Sequence, residues 1–158
     1  LITTASNALD RNNLFNQAKD AGFSFGNYFH QSTFISDLAK ISCGVISFRN
    51  TFFGANSITE ENVFINNDVS IAHASLVGSS SVICPRVNIS GGAKIGKCCF
   101  IATGAVIDNN AVLGDMSKVS ALSFYRKKRE KSNQTYFGNP AKGINFKKNS
   151  SNEKHNNS

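Results

Sequence analysis

Of the three histidines, His30, His73 and His155, one stands where chemistry is to be expected. His73 comes two residues after Ile71, inside a stretch of regular aliphatic spacing. An imidazole ordinarily titrates at about 6.5, so it can take a proton from an amine or a hydroxyl at neutral pH. The plain alternative is a corner histidine with no task. Gly91 lies eighteen residues further on. Without a Cβ its backbone N–H is open to a carbonyl oxygen that gains charge during a reaction; equally, Gly91-Gly92 can do no more than turn the chain. His30 and His155 are not spaced to join His73, and a zinc centre built on histidines needs three, so no metal is expected.

A repeat has to position these residues. Every sixth residue from Ile65 runs Ile71, Val77, Ile83, Ile89, Ile95, Ile101, Ile107, Leu113 and Val119, all aliphatic. The residue after each is mostly small, and a small or β-branched residue stands two places before it. A fixed period of this kind signals stacked units, and neither a helix (period 3.6) nor an ordinary strand (period 2) produces it. Six residues make one short strand and a corner. Three such units close a triangular coil of eighteen, with the next coil about 4.8 Å above. The aliphatic side chains then fill a prism, while small residues leave room at the corners and glycine there can take positive φ. His73 and Gly91 share a corner on consecutive coils. Phe29, Ile35 and Ile41 already fit the register, which fails at Ser47, resumes at Phe53, fails at Thr59 and stops after Val119. The early coils are therefore expected to be irregular, with Val45, Ile46, Phe48 and Phe52 packing outside the pattern.

The other segments are simpler. Residues 12–21 read as a short helix, capped by Asn12 or Asn13, with Leu14, Ala18 and Ala21 on one face and Gly22 just past its end. From Arg126 onward there are nine Lys/Arg against two Asp/Glu, which accounts for the whole net charge of +7. That stretch reads as a solvated basic loop, a returning strand in "TYFGNP" and a disordered tail over 147–158. Basic residues there can also hold a polyphosphate; nucleic acid is a poor partner, because no aromatic stacking platform is interleaved with the charge. No apolar run reaches the length of a membrane span. Cys43, Cys84, Cys98 and Cys99 lack C-x-x-C spacing, which favours reduced structural thiols and a cytoplasmic setting.

The stretch "IAHASLVGSSSVICPRVNISGGAKIGKCCFIATGAVI", with the later "YFGNPAKGI", resembles the hexapeptide-repeat acyltransferases. Among them it is most similar to the bacterial sialic-acid and amino-sugar acetyltransferases, over roughly residues 13–144. The resemblance implies an all-β chain, a left-handed parallel β-helix, over 29–122. It implies that 1–28 is the remnant of an N-terminal α/β domain, reduced to one helix, and that 123–146 forms the basic loop and returning strand. It further implies an acetyl-coenzyme A-dependent acetyltransferase in which His73 is the general base and Gly91 an oxyanion donor. Asn66 would help form the pocket, although beside Asn67 and Asp68 it also reads as a turn residue. Thr103 and Ala121 would touch acetyl-coenzyme A through their backbones, and Lys142 would approach its phosphates or remain solvated.

Thr103 and Ala121 are eighteen apart and share a corner, but not the corner of His73 and Gly91. One ligand meeting both corners favours a homotrimer with clefts between prisms. Two departures from the family pattern stand out. Ala74 replaces the acidic residue that often follows the base, leaving Asp68 or a backbone carbonyl to orient the ring. Val82 replaces a second, cofactor-contacting histidine. The expected function is acetylation of a sugar, an amino sugar carried on a nucleotide. A non-catalytic or decayed scaffold, or an acetyltransferase for another small acceptor, is the alternative.

Overall fold

The computed structural model describes residues 7–128 and 131–144. The expected tail over 147–158 lies outside them.

The period of six is realised as short strands on three faces. The first face carries Tyr28–Phe29, Ile46–Ser47, Phe64–Ile65, Val82–Ile83, Phe100–Ile101 and Lys118–Val119 in parallel, closed by an antiparallel hairpin of Thr135–Gly138 and Ala141–Ile144. Phe34–Ile35, Phe52–Phe53, Ser70–Ile71, Asn88–Ile89, Val106–Ile107 and Phe124–Tyr125 make the second. The third runs Lys40–Ile41, Ile58–Thr59, Leu76–Val77, Lys94–Ile95 and Val112–Leu113. Register is constant at eighteen residues, as in Ser70 to Asn88 and Ile71 to Ile89. The final step shortens to seventeen, pairing Val119 with Tyr136.

The core is the stack of inward ranks. Ile65, Ile71, Ile83, Ile89, Ile95, Ile101 and Ile107 are fully buried, and so are the residues two places earlier, among them Val63, Ala93, Cys99 and Ala105. Ser47 and Thr59 do not break this pattern. Both point inward with no exposed surface, so the register is continuous and only its chemistry changes. Val45 and Ile46 are buried within that regular order, and Phe52 is an outward residue of its strand. The rank also runs past Val119 to Tyr125, which with Tyr136 closes the upper end of the column. Their rings meet edge to face at 4.7 Å, and the Tyr125 hydroxyl donates to the Val112 carbonyl at 2.8 Å.

The corners work differently from the expectation. Positive φ falls on every sixth residue from Gly44 to Leu122, three places after the aliphatic one, and most of these residues are not glycine. Arg86, Met116 and Leu122 adopt it at φ 59°, 57° and 56°. Such a conformation is unfavourable for a side-chain-bearing residue. From Asn56 onward the amide of each donates to a carbonyl one coil below, as Ala74 does to Ala55 at 2.9 Å and Leu122 to Thr103 at 3.0 Å, while the Asn50 amide donates to the Ser32 hydroxyl at 2.9 Å. The glycines just after the aliphatic residue have another cause. A Cβ on Gly78 or Gly114 would run into the backbone of the next coil, at Gly96 and Lys131 respectively.

Helix α1 spans Ala8–Asp20, starting four residues before the predicted position, because the Asn7 side chain caps it by accepting from the Leu9 amide at 2.9 Å. Its end is as expected: Gly22, at φ +83°, and Phe23 return hydrogen bonds to Lys19 and Ala18. The buried face is Ala8, Arg11 and Phe15, whereas Leu14 is half exposed. Arg11 explains the difference. Its Nε donates to the Asn62 carbonyl at 2.7 Å and its guanidinium lies 5.5 Å from the centre of the Phe64 ring. Burial lowers its pKa to about 10. Among the described residues no helix is long and apolar enough to cross a membrane.

Candidate functional site

Each corner contributes two residues, and the ladder uses only the second. The left-handed residue donates its amide to the coil below, whereas the amide of the residue before it takes no part in the ladder. Pro85, which has no amide, fits that first position without loss. Elsewhere a side-chain oxygen often caps the spare N–H. Glu60 Oε2 accepts from Ser79 at 2.9 Å, Asp115 Oδ1 from Lys97 at 2.7 Å, and Asp108 Oδ1 from Asn109 at 2.8 Å. Gly91, Thr103 and Ala121 all hold this first position, and among the described residues no such oxygen bonds their amides.

His73 occupies the same position on the edge between the second and third faces, one coil below Gly91. Its imidazole lies against Gly91: a Cβ built there would sit 2.6 Å from both Cε1 and Nε2. The coils are tied at this point, since the Gly92 amide donates to the His73 carbonyl at 3.0 Å. His73 is exposed and Gly91 is buried. The ring makes no hydrogen bond among the described residues, so the expected orienting partners are not there. Asp68 turns instead toward Asn50, whose Nδ2 donates to it at 2.9 Å. What the ring has instead is its packing against the bare Gly91. Ala74, which follows the histidine, is the left-handed residue of the corner at φ 55°.

Thr103 and Ala121 share the edge between the first and second faces, across the second face from His73 and Gly91, and both are exposed. Asn66 enters a corner of that same edge two coils lower, where its Oδ1 accepts from the Asn67 amide at 2.8 Å. That bond serves the turn. Lys142 lies in the terminal hairpin on the first face, opposite Phe137, and is not brought near His73. Among the described residues no three His, Cys, Asp or Glu side chains are grouped to hold a metal ion.

A further neighbour, which the sequence pattern does not single out, is Asn110, eighteen residues after Gly92. Its amide donates to the Gly91 carbonyl at 3.0 Å, and its side-chain Oδ1 occupies space that a Cβ on Gly92 would need. Counting by eighteens reaches this residue, but nothing in its type marks it out from the other corner asparagines.

No protein-family model matches the sequence. Solved structures do match the fold. PerB from Caulobacter crescentus, in complex with CoA and GDP-perosamine, superimposes with a TM-score of 0.88 at 23% identity, over 92% of this chain and 70% of that one. The acetyltransferase domain of PglB from Neisseria gonorrhoeae gives 0.85 at 24% identity, over 89% and 68%. Its complex with acetyl coenzyme A gives 0.84. The chain thus shares its fold with these acetyltransferase structures.

Proposed function

We propose that the protein is an acetyltransferase that moves an acetyl group from acetyl-coenzyme A to an amino sugar carried on a nucleotide. The observation that carries this reading is the imidazole lying over Gly91, whose amide is spare in the ladder. The ligands of the two structural neighbours, CoA with GDP-perosamine and acetyl coenzyme A, support the choice of donor and acceptor.

In this reading the acceptor amine or hydroxyl attacks the thioester carbon while His73 takes its proton. A C–N or C–O bond forms, and the carbonyl oxygen gains charge facing the Gly91 N–H. The intermediate collapses with cleavage of the C–S bond, and the imidazolium returns the proton to the departing thiolate. Products are the acetylated sugar and coenzyme A. General-base assistance contributes about 10²–10⁴-fold, and holding both substrates in one cleft supplies much of the remaining rate. Thr103 and Ala121 offer the same kind of spare amide to the coenzyme A arm. Because they lie across the second face from His73, the reading includes a homotrimer whose clefts join the two edges from different chains.

His73→Ala is expected to leave folding intact, because the ring is exposed, and to remove about 10²-fold or more of thiol release from acetyl-coenzyme A with nucleotide-linked amino sugars. Near-normal turnover in that variant rejects His73 as the base. A wild-type chain that binds no acetyl-coenzyme A in calorimetry is a scaffold instead.

A further inference from the structure

Two side chains converge on the Gly91-Gly92 dipeptide from opposite sides along the column. From the coil below comes the His73 ring, over Gly91; from the coil above comes the Asn110 carboxamide, over Gly92. Each approach depends on the missing Cβ. At Gly91 a Cβ would meet Cε1 and Nε2 of the imidazole, and at Gly92 it would collide with Asn110 Oδ1. Gly91 itself does not have a left-handed φ, so the need for glycine there comes from the ring and not from the turn. Asn110 is exposed, and its carboxamide makes no hydrogen bond among the described residues. With Oδ1 toward Gly92, the Nδ2 group with its two donors lies on the other side of the carboxamide. The corner asparagine at 50 does otherwise, spending its Nδ2 on Asp68 within its own edge.

We propose that Asn110 is a second hydrogen-bond donor to the acyl donor held at Gly91, contacting the thioester carbonyl or the adjoining amide of its arm from one coil above. This rests on the acetyltransferase reading. The transfer step is unchanged; Asn110 adds a donor and moves no proton.

Asparagine at φ 55° also has a plain conformational role, because it tolerates the left-handed region. The test therefore uses Asn110→Gly, which keeps that conformation and removes the carboxamide, and Asn110→Asp, which keeps the shape and removes both donors. Thiol release and thermal unfolding are measured for each beside wild type and His73→Ala. The expected result is a loss of about 10-fold or more in kcat/KM in both Asn110 variants, with unfolding midpoints close to wild type. Wild-type kcat/KM in either variant overturns the assignment, as does a loss accompanied by an equal loss of folded protein. If wild type releases no thiol with any acceptor, the acetyltransferase reading itself fails. An active wild type, an inactive His73→Ala and an unaffected Asn110→Gly would sink the Asn110 inference alone.

Discussion

Gly91→Ala isolates the contact on which the site depends. The new methyl would start 2.6 Å from two imidazole atoms and 3.3 Å from Cδ2, where ordinary contact begins at 3.4 Å. Gly91 has no left-handed φ to strain, so the ring is what must yield, and it must retreat by about 1 Å; a displacement of that size can cost about 100-fold in rate. Because His73 is exposed, it can swing outward without unfolding the column. Stability separates the causes. Gly→Ala at a compatible backbone gains about 0.4–1 kcal/mol by restricting the unfolded chain, and in wild type the clash offsets that gain. In a His73→Ala background the clash is gone and the gain should appear in full. Urea unfolding of the four proteins of this cycle should give a coupling of about 1 kcal/mol between the two positions. Thiol-release kinetics on Gly91→Ala should show the loss in turnover. An identical stability change in both backgrounds, or wild-type turnover in Gly91→Ala, refutes the packing of the ring over Gly91.

Among the described residues Thr59 Oγ1 has no hydrogen-bond partner though it is buried, so Thr59→Val, which keeps the branched shape, should stabilise the chain by about 1 kcal/mol or more in urea unfolding. The four cysteines are free thiols, with Cys43 exposed and Cys99 buried. Burial is the main cause that pushes the Cys99 thiol up to about 12, so mild alkylation followed by mass spectrometry should modify Cys43 first and Cys99 only after denaturation.

The architecture was legible because a prism this narrow admits few residue types. An inward position every sixth residue leaves an unbroken aliphatic rank, and eighteen-residue arithmetic then puts His73 below Gly91 without any coordinates. Reading failed where other side chains take the same place. Ser47 and Thr59 look like breaks, yet a small inward hydroxyl fits the rank, and Tyr125 fits because the column ends there. The left-handed corner series was hidden as well, since Arg86, Met116 and Leu122 carry no local preference for it; the hydrogen bond to the coil below imposes the conformation. Helix α1 was misplaced because its inner face is organised by a buried arginine, which an apolar pattern does not reveal.

The same corner geometry explains why this edge, and not another, is the candidate site. Spare amides are a property of the fold, offered wherever the first corner residue is not proline. What distinguishes a position is what stands around its amide. At Asn67, Ser79, Lys97 and Asn109 a side-chain oxygen within 2.9 Å already satisfies it, so those corners present nothing to a ligand. Among the described residues Thr103 and Ala121 also have amides without such a cap, on the edge across the second face from the imidazole. At Gly91 an uncapped amide lies directly against an imidazole. A donor for developing negative charge beside a proton acceptor is the minimum that acyl transfer requires. Placing a capping carboxylate beside that amide would close the site while leaving every coil in register.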